Sequence, residues 1–244
     1  MCYFVEINLS RQELEKRFNV PALHDPRYMQ SNLLSAFTKP FLPAIPQEDP
    51  GAIRYFQWGL IPGWVKDRQT ADKISLSTFN ARAEGIFEKA SFRSSARHKR
   101  CMVCVHGFFE WHHTERDKIP YYIKRKDNRA FALAGLYESW TDRQTGEIID
   151  TISIITTRAN PMLEKIHNSK KRMPVILDEK DEIHWIDPSK NRPDLESFFK
   201  PFDENKLRAY PVNKHLFLRH ENPLDPGILK EFHAKPEGDQ FSLF

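Results

Sequence analysis

Glycine is scarce in this chain, with 9 residues in 244 against 17 prolines. There is no G-x-G-x-x-G run and no Walker-type loop, which excludes the usual backbone cradles for nucleotide phosphates. The same balance predicts stiff, irregular loops. Cysteine is rarer still: Cys2, Cys101 and Cys104 are too few and too unevenly placed for a disulfide scaffold. The longest apolar stretches, such as Phe131 to Leu136, fall far short of the roughly 20 residues that span a bilayer. The opening Met1-Cys2-Tyr3-Phe4-Val5-Glu6 lacks the basic start and apolar core of a secretory signal, so a cytoplasmic chain without membrane contact is expected. A strong charge of one sign is also missing. Thirty-seven basic and 33 acidic residues leave +4, a bias that permits a polyanionic partner without demanding one.

What is present is enough for a core. Hydrophobic residues make up 40% and charged residues 29%, and 244 residues lie between one large domain and two small ones. No repeat, low-complexity tract or linker divides the chain. Ser10-Arg11-Gln12-Glu13 is a capping box with Leu14 and Phe18 behind it, predicting a helix over 10–18. The segment 21–50 is proline-rich and reads as irregular connection. Strands are predicted over 53–60, 74–83, 101–111, 121–126, 130–140 and 148–157, with hairpin turns at Asp127-Asn128 and Asp142–Gly146. Helices follow over 161–166, where Asn160 caps and Pro161 takes the first position, and over 178–186 and 194–199. This order predicts an α+β fold: one domain over 1–220 with a β-rich, antiparallel core and short peripheral helices. A weakly structured tail is expected over 221–244.

Five segments could carry chemistry. Removal of Met1 would give Cys2 a free α-amine beside its thiol. An α-amine titrates near 7.7–8.0 and lysine near 10.4, so at neutral pH the neutral fraction of the former is larger by roughly several hundredfold. Such an amine condenses with an aldehyde, and the thiol can close the imine to a thiazolidine. The competing reading is that Cys2 is merely the second residue. In an extended Ser77–Glu84, the residues Asn80, Arg82 and Glu84 share one face, suited to holding a phosphate and orienting a reacting oxygen. A solvated sheet face would look the same. Glu110, between Phe109 and Trp111 in an apolar strand, should be desolvated and its pKa raised, which fits proton transfer; a strand-end glutamate pointing to water is the alternative. His167 follows a short helix and precedes Lys170, Lys171 and Arg172, where it could act as an acid near an anion, although it is one of ten histidines. Trp64, on the loop after Trp58-Gly59-Leu60-Ile61-Pro62-Gly63, could stack on a base, whereas Trp58 suits the core. Basic clusters over 93–100 and 170–172 would complete a phosphate-tracking groove or simply face solvent. Cys101 and Cys104, three apart on a strand, point to opposite faces, so they suit small buried hydrophobes and no metal site is expected.

Taken together, Met1-Cys2, Trp58–Trp64, Asn80-Ala81-Arg82-Ala83-Glu84, Arg100–Trp111, and His167 with Arg172-Met173-Pro174-Val175-Ile176-Leu177 resemble the SOS-response-associated peptidase (SRAP) family of abasic-site-processing proteins. The resemblance implies a barrel-like centre and a cationic cleft for single-stranded DNA containing abasic sites, as part of the DNA damage (SOS) response. It implies no cofactor and a cross-link from Cys2 to the ring-opened sugar aldehyde. Asn80 would position the reacting terminus, Glu110 would move protons, and His167 would act as acid on the sugar. Arg82 would hold a phosphate, Trp64 would wedge against a base, and Thr156 would line the cleft. Peptidase activity limited to removing Met1, and a lyase activity on the abasic strand, are implied as well. Three departures stand out. Tyr3 and Phe4 replace the family's Gly-Arg, Val65 follows Trp64 where a second tryptophan is common, and Asn168–Lys171 lengthen the link from His167 to Arg172 while supplying Lys170 and Lys171. Nothing requires a dimer, so a monomer is expected. Two rival functions are an N-terminal-nucleophile cysteine amidohydrolase and a non-catalytic single-stranded DNA-binding module.

Overall fold

The structure, a computed structural model, describes residues 2–218 and 222–232. In chain order its first elements are β1 (Phe4–Glu6), α1 (Arg11–Phe18), β2 (Leu34–Ser35), β3 (Phe41–Pro46), β4 (Arg54–Trp58), α2 (Arg68–Ser75) and β5 (Asn80–Arg82). There follow α3 (Arg93–His98), β6 (Arg100–Val105), β7 (Gly107–His113), β8 (Lys118–Arg125), β9 (Phe131–Thr141) and β10 (Ile148–Arg158). The last are α4 (Pro161–Ile166), β11 (Arg172–Pro174), α5 (Glu179–Trp185), α6 (Arg192–Glu196), β12 (Leu207–Pro211) and α7 (Lys214–Leu218).

The strand pairings run β10–β4–β3–β6–β9 and return from β9 to β10, which closes a barrel. Closure removes the sheet edges of those five strands. β5 and β11 add to β10, while β12–β8–β7–β1–β2 form a second, open antiparallel sheet. The α+β, barrel-centred fold expected from the sequence is the one observed. No helix among the described residues is long and apolar enough to cross a membrane.

Alternation along the strands sorts the side chains. On β9, Phe131, Leu133 and Tyr137 point into the barrel cluster, and Ala132, Ala134 and Leu136 point outward beneath α1, α5 and α6. Gly135 sits where a Cβ would come within 2.8 Å of Val103 and 2.9 Å of the Cys101 sulfur, so only glycine lets the interior pack this tightly. Val5, Phe108, Ile123 and Leu207 from the second sheet join the barrel cluster. The other face of that sheet buries Phe109, Tyr122, Tyr210, Phe217 and Ile228.

Local signals account for most boundaries. Ser10 and Glu13 form the reciprocal cap of α1. Asn160 accepts from the Leu163 N–H, with Pro161 opening α4. Asp142–Gly146 is a true hairpin between β9 and β10, with Gly146 at φ 75°.

Several expectations are corrected. The segment 74–83 is not one strand. Asp67 caps a helix that runs to Ser75, and only Asn80–Arg82 pair with β10. The stretch 101–111 breaks at His106 into a barrel strand and a strand of the open sheet. Asp127-Asn128 is a turn between strands of different sheets, not a hairpin. The proline-rich 21–50 contains β2 and β3; in β3, Pro43 lies outside the ladder to β6, and Pro46 is the last residue of the strand. The helix expected over 194–199 starts earlier, at Arg192 behind an Asn191 cap. Of the expected tail, residues 222–232 carry a 3-10 turn and bury Ile228; residues 219–221 and 233–244 lie outside the described residues.

Candidate active site

Four of the residues singled out above converge at one place. Cys2 is fully buried in the barrel cluster, and the Asn80 side-chain amide donates to its carbonyl oxygen at 2.8 Å. Asn80 stands there because β5 is laid along β10, with Asn80 opposite Ile154. The indole N–H of Trp58 fixes the preceding Phe79 carbonyl at 2.9 Å. Gly59, at φ 118°, lets the Ser75 end of α2 approach to 2.7 Å of its absent Cβ. Trp58 is thus a core residue that positions the site from behind. The Asn80 Oδ1 is buried and has no hydrogen-bond partner among the described residues, an acceptor held beside the cysteine backbone.

Glu110 comes from β7. Phe4 pairs with Phe109 and Val5 with Phe108, so β1 carries Cys2 to the strand that bears Glu110. Glu110 shares the face of Phe108, the face turned to the Cys2 cluster, and Phe109 and Trp111 turn away. Burial raises the Glu110 carboxyl from 4.5 to about 7. Burial also pushes the Cys2 thiol up, and the Glu110 charge pushes it further.

His167 caps the C-terminus of α4 and is buried. Its Nδ1 lies 2.9 Å from the Arg172 carbonyl oxygen and 3.5 Å from Glu110 Oε2. A carbonyl can only accept, so Nδ1 carries the proton and Nε2 the lone pair. Burial lowers the imidazole from 6.5 to about 4, so it is neutral at neutral pH.

The remaining residues are spread around this group. Arg82, Lys170 and Lys171 are exposed. The Arg172 side chain is mostly covered. Its guanidinium is tied to Glu84 at 3.0 and 2.9 Å, to the Thr156 carbonyl at 2.6 Å and to Thr156 Oγ1 at 3.3 Å. Thr156 is correspondingly buried. Trp64 is 53% exposed, with its indole N–H on the Ala90 carbonyl at 3.0 Å; none of its hydrogen bonds or ring contacts reaches the Cys2 group. The basic cluster over 93–100 is split. Arg100 is fully buried and donates to the carbonyls of Trp185, Arg97 and Asp187, tying the ends of α3 and α5 together. Cys101 faces the barrel interior and Cys104 the outer cluster, so the pair shares no ligand position. No group of three metal-ligating side chains occurs among the described residues.

Sequence reasoning missed the contacts that three residues make. Glu84 was visible beside Arg82, but not its partner on β11. Asn168 accepts from the His113 N–H at 3.0 Å and donates to the His113 carbonyl at 2.7 Å, which clips the extended His167–Arg172 link to the end of β7. Tyr3, where the family has glycine, stands half-buried against Phe37 (centroids 5.2 Å apart), and burial together with the Glu110 charge raises its phenol.

A closed barrel that gathers Cys2, an amide, a buried carboxyl and a neutral imidazole defines a class of site-bearing α+β domain. The chain belongs to the SOS response associated peptidase (SRAP) family, whose model matches residues 1–217. Abasic site processing protein YoqW of Bacillus subtilis is 43% identical over 159 residues, covering 64% of this chain and 67% of that protein. Abasic site processing protein YMR114C of Saccharomyces cerevisiae is 35% identical over 175 residues, 69% of this chain and 45% of that protein. Abasic site processing protein HMCES of Xenopus tropicalis is 31% identical over 150 residues, 54% of this chain and 44% of that protein. A crystal structure of a Bacteroides thetaiotaomicron protein superposes with a TM-score of 0.87 at 37% identity, over 95% of this chain and all of that one.

Proposed function

We propose that this protein processes abasic sites in single-stranded DNA by forming a covalent link through Cys2 once Met1 is removed. The observation that carries the reading is the Asn80 amide holding the Cys2 backbone inside a cluster that also contains the Glu110 carboxyl. In the reaction read here, the abasic sugar opens as the lone pair of His167 Nε2 takes the C1′ hydroxyl proton and returns it to the ring oxygen. The Cys2 amine adds to the aldehyde carbon. Glu110, titrating near neutrality, carries the two amine protons in turn to the aldehyde oxygen, the first making the hydroxyl and the second releasing it as water, so an imine remains. The thiol then adds across the imine, its sulfur to carbon and its proton to nitrogen. One thiazolidine and one water result.

The raised thiol favours this order over the amidohydrolase alternative. Attack by a thiolate on an amide needs a lowered thiol pKa, whereas here burial moves it the other way. Arg82, Lys170 and Lys171 supply exposed charge for the phosphates on either side of the lesion, and Trp64 an exposed ring for a base. Removal of Met1 by the domain itself, scission of the abasic strand and a place in the SOS response belong to the same reading, as do a monomeric state and a cytoplasmic location.

The test is incubation of purified protein with a single strand whose uracil has been excised by a glycosylase, followed by denaturing electrophoresis. A denaturant-resistant adduct is expected from the parent protein and none from Cys2→Ala or from a chain retaining one residue before Cys2. An equal adduct from Cys2→Ala would sink the reading.

A further inference from the structure

We infer, on the roles proposed above for His167 and Glu110, that Asn168 is a positioning residue for the reaction: its side-chain amide fastens the His167 loop to the end of β7 and so sets the spacing between imidazole and carboxyl. Those two groups reach the site from different elements, Glu110 from β7 and His167 from the end of α4. A helix end and a strand share no backbone ladder, so side chains must fix their separation.

β1 pairs with β7 only over 107–109, and further along the strand Asn168 stands at His113. Its Oδ1 accepts from the His113 N–H at 3.0 Å, and its Nδ2 donates to the His113 carbonyl at 2.7 Å. One side-chain amide thus copies the pair of bonds that a residue of an antiparallel neighbour would offer. A second tie lies beside it. His112 Nδ1 is 2.9 Å from the Lys165 carbonyl in the last turn of α4, and since a carbonyl only accepts, the ring donates.

These contacts close a ring. Asn168 directly follows His167, His113 lies on the strand that bears Glu110, and the two site residues meet with 3.5 Å between Nδ1 and Oε2. The segment 168–171 is a turn folded on the His167 carbonyl, which accepts from the Lys170 and Lys171 N–H groups at 3.3 and 2.8 Å, with Lys171 in the left-handed region at φ 51°. The Ala159 N–H holds the far end of the turn through the Lys171 carbonyl at 3.0 Å. That anchor lies at the end of β10. Asn168 adds the one that faces β7. Aspartate at this position would keep the acceptor but set a second oxygen against the His113 carbonyl, and alanine would keep neither bond.

The experiment compares Asn168→Ala and Asn168→Asp with the parent chain in three readouts. The first is the adduct rate with the aldehyde strand, measured also in a His167→Ala background. The second is affinity for a single strand carrying tetrahydrofuran, an abasic analogue with no aldehyde. The third is the titration midpoint of the Glu110 side chain followed by ¹³C NMR, which needs no adduct. Asn168→Ala is expected to slow the adduct about tenfold, to keep tetrahydrofuran-strand affinity within about twofold, and to have no further effect once His167 is alanine. Water admitted between β7 and α4 should bring the Glu110 midpoint from about 7 down to about 6. Asn168→Asp should slow the adduct at least as much.

If Asn168 instead serves to present Lys170 and Lys171 to phosphate, tetrahydrofuran-strand affinity will fall as far as the rate, and the loss will persist in the His167→Ala background. That pattern overturns the proposal. A lowered urea midpoint with a parent rate per folded molecule overturns it too, as does a Glu110 midpoint that does not move. A parent chain that forms no adduct would overturn the function proposed above, and the Glu110 midpoint would still decide the clip.

Discussion

His106 and His167 each lie against a buried glutamate, yet one imidazole is charged and the other neutral. His106, at the break between β6 and β7, places Nδ1 2.6 Å from Glu6 Oε2 and Nε2 3.0 Å from the Asn128 carbonyl. Both nitrogens face acceptors, so both must carry protons, and the ring is an imidazolium. Burial works against that charge, but the Glu6 hydrogen bond and charge outweigh it and raise the His106 pKa. At His167 the same burial meets a backbone carbonyl at Nδ1 in place of a carboxylate. Nδ1 is taken by a carbonyl, and Glu110 Oε2 at 3.5 Å is too far for a strong hydrogen bond, so the histidine falls to about 4 while the glutamate rises to about 7. The same residue pair is thus a charged joint between the sheets in one place and a neutral imidazole beside a raised carboxyl in the other. What differs is the neighbour of Nδ1, a carboxylate at His106 and a carbonyl at His167.

The largest effect expected from breaking this contrast is at the joint. Glu6→Ala strands the His106 charge and should cost about 3–5 kcal/mol, read as a lowered urea midpoint. Adduct formation per folded molecule should be unchanged. Glu110→Gln should do the reverse: a loss of about a hundredfold in adduct rate, near 3 kcal/mol, with a urea midpoint at neutral pH no lower than the parent's. A Glu110→Gln chain that cross-links at the parent rate would remove the carboxyl from the chemistry.

The pH profile sharpens the comparison next. Between about 4.5 and 6.5 the folded state holds a proton on Glu110 that the unfolded state lacks, so that group's contribution falls as pH rises. Over the same window the unfolded state holds a proton that folded His167 lacks, so its contribution rises. The two slopes cancel. Glu110→Gln should uncover the His167 term, giving stability that grows with pH by about 1.4 kcal/mol per unit and about 3 kcal/mol in total from pH 4 to 6.5. Above 6.5 the raised His106 makes stability fall with rising pH, and His106→Gln should flatten that limb. Urea titrations at half-unit steps check both.

How far the sequence carried this follows from the range of the forces involved. Caps, prolines and hairpin turns act within a few residues, so Ser10-Glu13, Asn160-Pro161 and Asp142–Gly146 could be placed directly. Alternation likewise put Cys101 and Cys104 on opposite faces. The desolvation of Glu110 was foreseeable from its apolar neighbours. What could not be read were pairings across long separations. The His106 break, the Arg172–Glu84 fork across 88 positions and the burial of Arg100 depend on which strand lies beside which. A basic run therefore looked uniform, although Arg100 is buried inside the fold and Arg82, Lys170 and Lys171 are left on the surface.

The smallest effect isolates the third member of the joint. The Tyr122 hydroxyl donates to the same Glu6 oxygen at 2.7 Å, so Glu6 Oε2 receives one neutral and one charged donor. Tyr122→Phe removes the neutral donor, keeps the ring packed against Phe109 and leaves the imidazolium to hold the carboxylate alone. The expected loss is about 1.5 kcal/mol, the low end for a hydrogen bond to a charged group. It is smaller than the Glu6→Ala loss because no charge is stranded. The alkaline limb of the pH profile should persist in Tyr122→Phe, since that limb belongs to His106. A variant that lost it would mean the phenol, rather than the two facing acceptors, keeps the second proton on the ring, and the contrast between the two histidines would then need a different cause.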